Sequence, residues 1–337
     1  YDYEGETFTL HLDVKLADDL SVRIGGNVGS NGANQIYLGA SYQNLSSISK
    51  EFSIEGQLGQ IYNNLQLTGR VDLPTEVPTS YKVVASLSSF DYMGHTKYFN
   101  KLNNSNFNKK DENFVKLFLN MPFLSKHKAE FGIGIADIKD QYYQTNIIDF
   151  NNAVRDESSY LIFGGTVALE GNTLDSRLFA LNGKRERLAA HIYSGTERYR
   201  QGIGTDPYNG EFKYQQAWLQ IAYDFEKYYN FHKNVAMGLC FNAYYSSRNF
   251  SNNYSATMMQ AGEFSPTLHS KINYNEAFRA NQFVGIGIIP IYKLNSMLHA
   301  RLGLYGFLPV FPILCNENHK AYYGKAFSKV EYMGDLI

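Results

Sequence analysis

Few residues in this chain stand together in a way that could do chemistry. His191 lies near Ser194-Gly195, the types that a base and a nucleophile require. A hydrolase of that kind lifts its serine on a sharp strand-to-helix turn with the pattern Gly-x-Ser-x-Gly. The pattern does not occur here, so no catalytic triad is expected. The acidic pairs Asp111-Glu112 and Asp156-Glu157 fall in expected loops, where a solvated carboxylate or a surface cation contact is expected ahead of general acid–base work. The run Lys184-Arg185-Glu186-Arg187 either faces the inside of a closed sheet and favours an anionic passenger, or marks a strand break. Gly132-Ile133-Gly134 and Gly285-Ile286-Gly287 are not phosphate loops, because no helix follows them. On an inward strand face such glycines leave room for a docked segment. Cys240 and Cys315 form no CxxC pair, and the eight histidines show no ligand spacing. No metal and no cofactor is expected.

The elements that carry these residues are strands. With 31 basic and 32 acidic side chains, the net charge is −1, which argues against a nucleic-acid partner. Tyrosine and phenylalanine are abundant, at 27 and 23 residues, yet mean hydropathy is only −0.34. No apolar run approaches the ~18 residues of a membrane helix. Tyr1 onward is acidic and polar, not a secretory leader, which reads as a mature protein or a fragment of one. High aromatic content with low mean hydropathy suits a transmembrane β-barrel, whose strands put alternate residues into lipid and whose aromatics form interfacial belts. A soluble all-β protein fits the same totals.

The pass along the chain predicts about fourteen strands from Leu20 onward, nearly all with one apolar and one polar or small face. The clearest is Tyr62 to Leu73, where Leu65, Leu67, Gly69, Val71 and Leu73 oppose Asn64, Gln66, Thr68, Arg70 and Asp72. Others include Phe114 to Met121, Arg177 to Tyr193, Gln216 to Phe225 and Lys325 to Met333. The connections alternate in length. Leu73–Tyr81, Pro122–Lys128, Glu170–Ser176, Glu226–Lys233 and Lys293–Ser296 are short. Tyr92–Asn113, Lys139–Ser159, Thr196–Gln215, Ser246–Ala280 and Leu308–Gly324 are long. Short turns at one end and long loops at the other are the plan of an outer-membrane barrel. Lipid leaves no backbone group unpaired, so such a sheet must close. The expected fold is therefore all-β, a transmembrane antiparallel β-barrel. The longest connection, Ser246 to Ala280, carries Tyr274, Glu276, Phe278 and Arg279 near its end and is expected to fold and dock.

Several segments resemble one family. They are Arg23 to Ser30 followed by Ile36 to Tyr42, Asp140 to Asn146, Asn172 to Asp175, and Phe264 to Thr267 with Phe278 to Gln282. Their order along nearly the whole chain is similar to the C-terminal surface-antigen barrel of bacterial patatin-like phospholipases, within the outer-membrane assembly-factor superfamily. The resemblance implies a sixteen-stranded barrel whose sixth extracellular loop, between strands eleven and twelve, folds into the lumen. It also implies a loop-tip arginine, within an Arg-Gly-Phe or Arg-Gly-Tyr motif, paired with an acidic wall residue. The nearest match here is Phe278-Arg279-Ala280, which lacks the glycine, and Leu304 to Phe307 holds no acid. Asp72 and Asp224 are the candidate lumenal partners of Arg279; the alternative is a solvated loop arginine.

The same resemblance implies residues 1–19 as the end of a periplasmic POTRA-type module, with Phe8 to Leu16 its last strand, and residues 20–337 as the barrel without its last two strands. It implies an outer-membrane barrel that anchors, and in one version exports, a patatin-like phospholipase domain, fused or associated. The alternative is an assembly or translocation barrel, or an accessory subunit, without enzymatic activity. Expected partners are outer-membrane lipids, a patatin domain and other outer-membrane proteins. A passive porin is disfavoured, because a loop that plugs the lumen reduces conductance.

Overall fold

In a computed structural model of the chain, residues 2–4, 7–9, 19–27, 34–91, 108–124, 126–143, 154–176, 179–202, 211–267, 270, 274–295 and 298–337 are described. Fourteen strands form one antiparallel sheet in which every strand pairs with its neighbours in sequence. They are β1 (Leu20–Asn27), β2 (Gln35–Asn44), β3 (Ser49–Gly59), β4 (Tyr62–Leu73), β5 (Thr79–Asp91), β6 (Asn108–Phe123) and β7 (His127–Tyr142). The second half is β8 (Asp156–Asn172), β9 (Gly183–Arg200), β10 (Glu211–His232), β11 (Val235–Ser246), β12 (Gln282–Lys293), β13 (His299–Pro309) and β14 (Glu331–Leu336). Among the described residues no ladder joins β14 to β1. Asp2–Glu4 and Thr7–Thr9 make a separate short hairpin. The strand expected from Phe8 to Leu16 lies, beyond Thr9, outside the described residues.

The alternation fixes which face points where. In β4, Leu65 and Leu67 stand exposed while Asn64 and Gln66 are half-buried. Ile24 is 78%, Ile133 65% and Ile192 68% exposed. The apolar face is thus the outer one, the reverse of a soluble sandwich, and it forms a band of aliphatic and aromatic side chains around the sheet. Such a surface is stable against lipid, with the polar faces turned to a lumen. No helix among the described residues is long and apolar enough to cross a membrane; crossing by strands needs only ~9–11 residues each.

Several strands run past that length, and here the structure corrects the sequence reading. The strand expected at Gln216 to Phe225 spans Glu211–His232, 22 residues, and that at Phe114 to Met121 spans Asn108–Phe123. Beyond the bilayer both faces are wet, so the apolar alternation that reveals a strand disappears while the ladder continues. Asp111, Glu112, Asp156 and Glu157 accordingly lie in strands, not loops. Lys109 and Lys110 pair with Asp111 and Glu112 at 3.7 and 3.3 Å. Lys139 and Arg200 hold Glu157 at 2.9 and 3.1 Å. Asp156 is buried and accepts from Tyr199 and from the Gly202 amide. All are structural pairs.

Lys184 to Arg187 do not break β9, which begins at Gly183 rather than Arg177. Arg185 and Arg187 face inward, Arg185 meeting Glu170 and Glu226 at 3.4 and 3.3 Å and Arg187 meeting Glu130 at 3.0 Å. Their charge is spent on neighbouring strands rather than left for an anionic passenger. His191 also faces inward, on Thr166 at 2.9 Å, whereas Ser194 stands exposed on the opposite face. The two cannot act together.

The candidate functional site: a loop docked in the lumen

The connection between β11 and β12 enters the sheet's concave side and, among its described residues, carries an α-helix, α1 (Tyr254–Gln260), and a 3-10 turn at Glu276–Phe278. Asn253 starts that helix. Its side chain accepts from the Ala256 amide at 2.8 Å, satisfying one of the free donors of a first turn. Three groups of contacts hold the loop.

The first is polar and lies on β7 to β10. Arg248 is 6% exposed. Its guanidinium sits over the rings of Trp218 and Tyr160 at 4.6 and 4.9 Å, within the range of a cation–π contact. Its Nη1 donates to Gln260 Oε1 at 2.9 Å, and Gln260 Nε2 donates to Asp140 Oδ2 at 2.5 Å. Backbone amides of the loop reach the wall as well. Asn249 N donates to Gln216 Oε1 and Asn252 N to Glu197 Oε1. Asn253 Nδ2 donates to Tyr142 OH at 2.7 Å. Asp140 and Glu197 are 0% and 3% exposed and lie within electrostatic reach of Arg248. Two buried carboxylates need such a cation.

The second group is aromatic. Phe264 and Phe278 of the loop pack on Phe307 of β13 at 5.8 and 5.7 Å, and Phe307 on Phe283 of β12 at 5.0 Å. Phe307 is wholly buried. Gly285 makes this possible: a Cβ there would run into the Phe264 ring, whereas one on Gly287 would meet Cys240 and Tyr305 of the wall. This is the room for a docked segment that the Gly-Ile-Gly pattern suggested.

The third group is the hairpin Ile313–Cys315/Ala321–Tyr323 of the next connection, which lies over α1. Tyr254 N donates to His319 O at 2.9 Å, Lys320 Nζ to Asn252 O at 2.5 Å, and Asn281 Nδ2 to Tyr323 OH at 3.0 Å.

Arg279 plays a different part from the expected one. Its Nη2 is paired with Glu263 of the same loop, in the two-residue bridge Gly262–Glu263/Arg279–Ala280. Its Nη1 faces the carbonyls of Met258, Met259 and Ala261 at 3.3–3.5 Å, where a cation complements a helix C-terminus. Neither proposed partner is used. Asp72 accepts from Arg70 at 2.8 Å and Asp224 from Asn242 at 2.6 Å. A closer carboxylate on the loop itself closes the pair without a wall residue. Phe278 is buried beside it. Burial, and then Glu276, raise the phenol pKa values of Tyr274 and Tyr254, so both stay protonated and donate to Glu276.

Below the docked loop lies a cavity of about 570 Å³, lined among others by Asp224, Glu226, Tyr228, Cys240, Arg301 and Asp335. Its floor is the short connection before β9, which tucks inward. Ala180 is buried, its carbonyl accepts from Arg301 Nη2 at 3.0 Å, and Phe179 lies 5.6 Å from the Arg301 guanidinium. No group of His, Cys, Asp and Glu able to hold a metal is present among the described residues.

The sheet as a whole is comparable with solved structures. The chain is similar to BamA from Haemophilus ducreyi lacking POTRA domains 1–3, with a TM-score of 0.60 and 12% identity, over 96% of this chain and 64% of that one. The fold is similar to the BamA barrel. The chain spans 64% of that protein's length. Looser similarities are to the siderophore receptor PiuA (TM-score 0.38, 9% identity, 91% and 59% of the two chains) and to CdiB (0.30, 10%, 94% and 59%), both from Acinetobacter baumannii; they carry no argument here. No family model and no curated protein matches the chain.

Phe278 and Arg279 lie near the end of the docked connection, Arg279 on Glu263 in place of a wall carboxylate. Arg248, Trp218, Asp140, Glu197 and Gln260 were missed. The available signal was the chain's one tryptophan on an otherwise polar strand face, but nothing in sequence connects it to an arginine thirty residues on.

Proposed function

We propose that this chain is an outer-membrane β-barrel of the assembly or translocation type, with its lumen held shut from the long-loop side by its own connection 247–281. The observation that carries the reading is the polar dock of Arg248 on Trp218, Tyr160 and the Asp140–Gln260 bridge, set within a BamA-like fold. A loop fixed by a buried cation and an aromatic cluster restricts passage. The cavity of about 570 Å³ on the other side of the loop leaves room toward the short-turn end for no more than a few residues. The partners are then outer-membrane lipids and other outer-membrane proteins, and the hairpin Asp2–Thr9 is the end of a periplasmic module.

The ordered family segments quoted above favour a second reading, in which the barrel anchors a patatin-like phospholipase domain; the chemistry would belong to that domain. Depletion in the native cell separates the two. Under the first reading the levels of other outer-membrane proteins fall. Under the second they hold while surface lipid hydrolysis is lost. Single-channel recording tests the plug in either case: the intact protein is expected to pass little current, and a large steady conductance would overturn it.

A further inference from the structure

On the outer face of the β9–β10 ribbon, two pairs of like charges stand directly opposite one another. Lys184 pairs in register with Lys227 toward the short-turn end, and Arg198 with Lys213 toward the long-loop end. Both pairs share the face of exposed Leu188 and Ile192. Like charges opposite one another destabilise a sheet. Lys184 is partly compensated by Glu186 at 2.9 Å, which also holds His127 at 2.9 Å. Lys227 lies 4.6 Å over the Tyr229 ring, and Tyr229 stacks on Phe231 at 5.8 Å. Among the described residues no carboxylate pairs with Lys227, Arg198 or Lys213. Glu157, near the upper pair, is already held by Lys139 and Arg200.

The spacing is informative. Lys184 and Arg198 are fourteen residues apart in one unbroken strand. At ~3.3 Å per residue and a tilt of ~40°, that is about 35 Å along the membrane normal. A bilayer's hydrocarbon is ~30 Å thick, and ~40–45 Å with its headgroups. The two basic pairs therefore fall at the two headgroup levels, and the residues between them, Leu188, Ile192, Ile221 and Tyr223 among them, form the apolar band.

We infer that each pair seats a phosphate group of a membrane lipid, one in each leaflet, and that the β9–β10 ribbon thereby sets the barrel's depth. The inference rests on the membrane-barrel reading. An anion between two opposed cations removes the repulsion that the register imposes.

The full chain is reconstituted into phosphatidylcholine vesicles with and without phosphatidylglycerol, extracted in detergent and weighed intact with its retained lipid. The wild type is expected to retain phosphatidylglycerol over phosphatidylcholine. Lys184→Gln with Lys227→Gln, and separately Arg198→Gln with Lys213→Gln, are expected to weaken retention about fivefold per charge removed. Lys325→Gln with Lys329→Gln, which makes the same charge change elsewhere, leaves it unaltered. Millimolar inorganic phosphate does not displace the lipid. Equal retention by the fourfold variant, once inserted, overturns the inference alone, as does displacement by free phosphate. A wild-type chain that never inserts overturns the membrane reading and this one with it.

Discussion

The Arg248 guanidinium stands 4.6 Å from the ring of Trp218, and this contact ties the lumenal loop to the wall, whereas Arg279 ties the loop to itself. Removing Arg248 takes away the cation stacked on Trp218 and Tyr160 and the donor to Gln260, and with it part of the positive potential at Asp140 and Glu197. Arg248→Ala is expected to cost about 2–4 kcal/mol from two cation–π contacts and one charged hydrogen bond, read as a lower urea midpoint for the folded barrel and as new protease cleavage within 247–281. Arg248→Lys does not restore it, because an ammonium cannot stack on two rings and donate to Gln260 together. Unchanged protease resistance in Arg248→Ala would remove it from the dock.

Arg279→Ala acts on a different link. It uncaps α1 and frees Glu263, so the helix and the Gly262–Ala280 bridge loosen while the Arg248 contacts persist. Combined with Arg248→Ala, its effect should be close to additive, since the two arginines bond to different groups. A coupling above about 1 kcal/mol in a double-mutant cycle would show that the two docks form one unit.

Gly285 is the steric gate for Phe264. Gly285→Ala forces that ring aside and is expected to destabilise by about 1–3 kcal/mol. Phe264→Leu in the same chain should recover part of the loss, because the smaller side chain makes room for the added methyl. If Phe264→Leu only adds its own cost, Phe264 does not pack where the structure puts it.

The loop phenols give a pH test. Folding raises the Tyr274 and Tyr254 pKa values above their ordinary value. The stability they contribute is therefore complete below the unfolded value of ~10 and is lost as pH rises through the folded values. Alkaline conditions should release the loop before the wall strands unfold. Protease cleavage within 247–281, followed from pH 9 to 12, should rise with pH in the wild type and less steeply in Tyr274→Phe with Tyr254→Phe.

Much of the wall was legible in the sequence. Period-two alternation in Tyr62 to Leu73, and short turns alternating with long loops, gave fourteen strands in meander order, because a strand facing lipid must put apolar residues at every second position. The loop's place between strands eleven and twelve, and its burial, were also readable from Phe278 and Gly285-Ile286-Gly287. The ends of β6 and β10 were not, since above the bilayer both strand faces are polar and the period vanishes.

What the tertiary structure alone decided is which charges meet. Arg248 and Trp218 lie thirty residues apart and Gln260 and Asp140 one hundred and twenty, so no local pattern links them. Asp72 and Asp224 were reasonable partners for Arg279 by type, yet Glu263 reaches it first through a two-residue bridge. Only the register of β9 on β10 sets Lys184 against Lys227 and Arg198 against Lys213. Periodicity reports the medium on each side of a strand; ion pairing depends on distances that long-range ladders and a returning loop create.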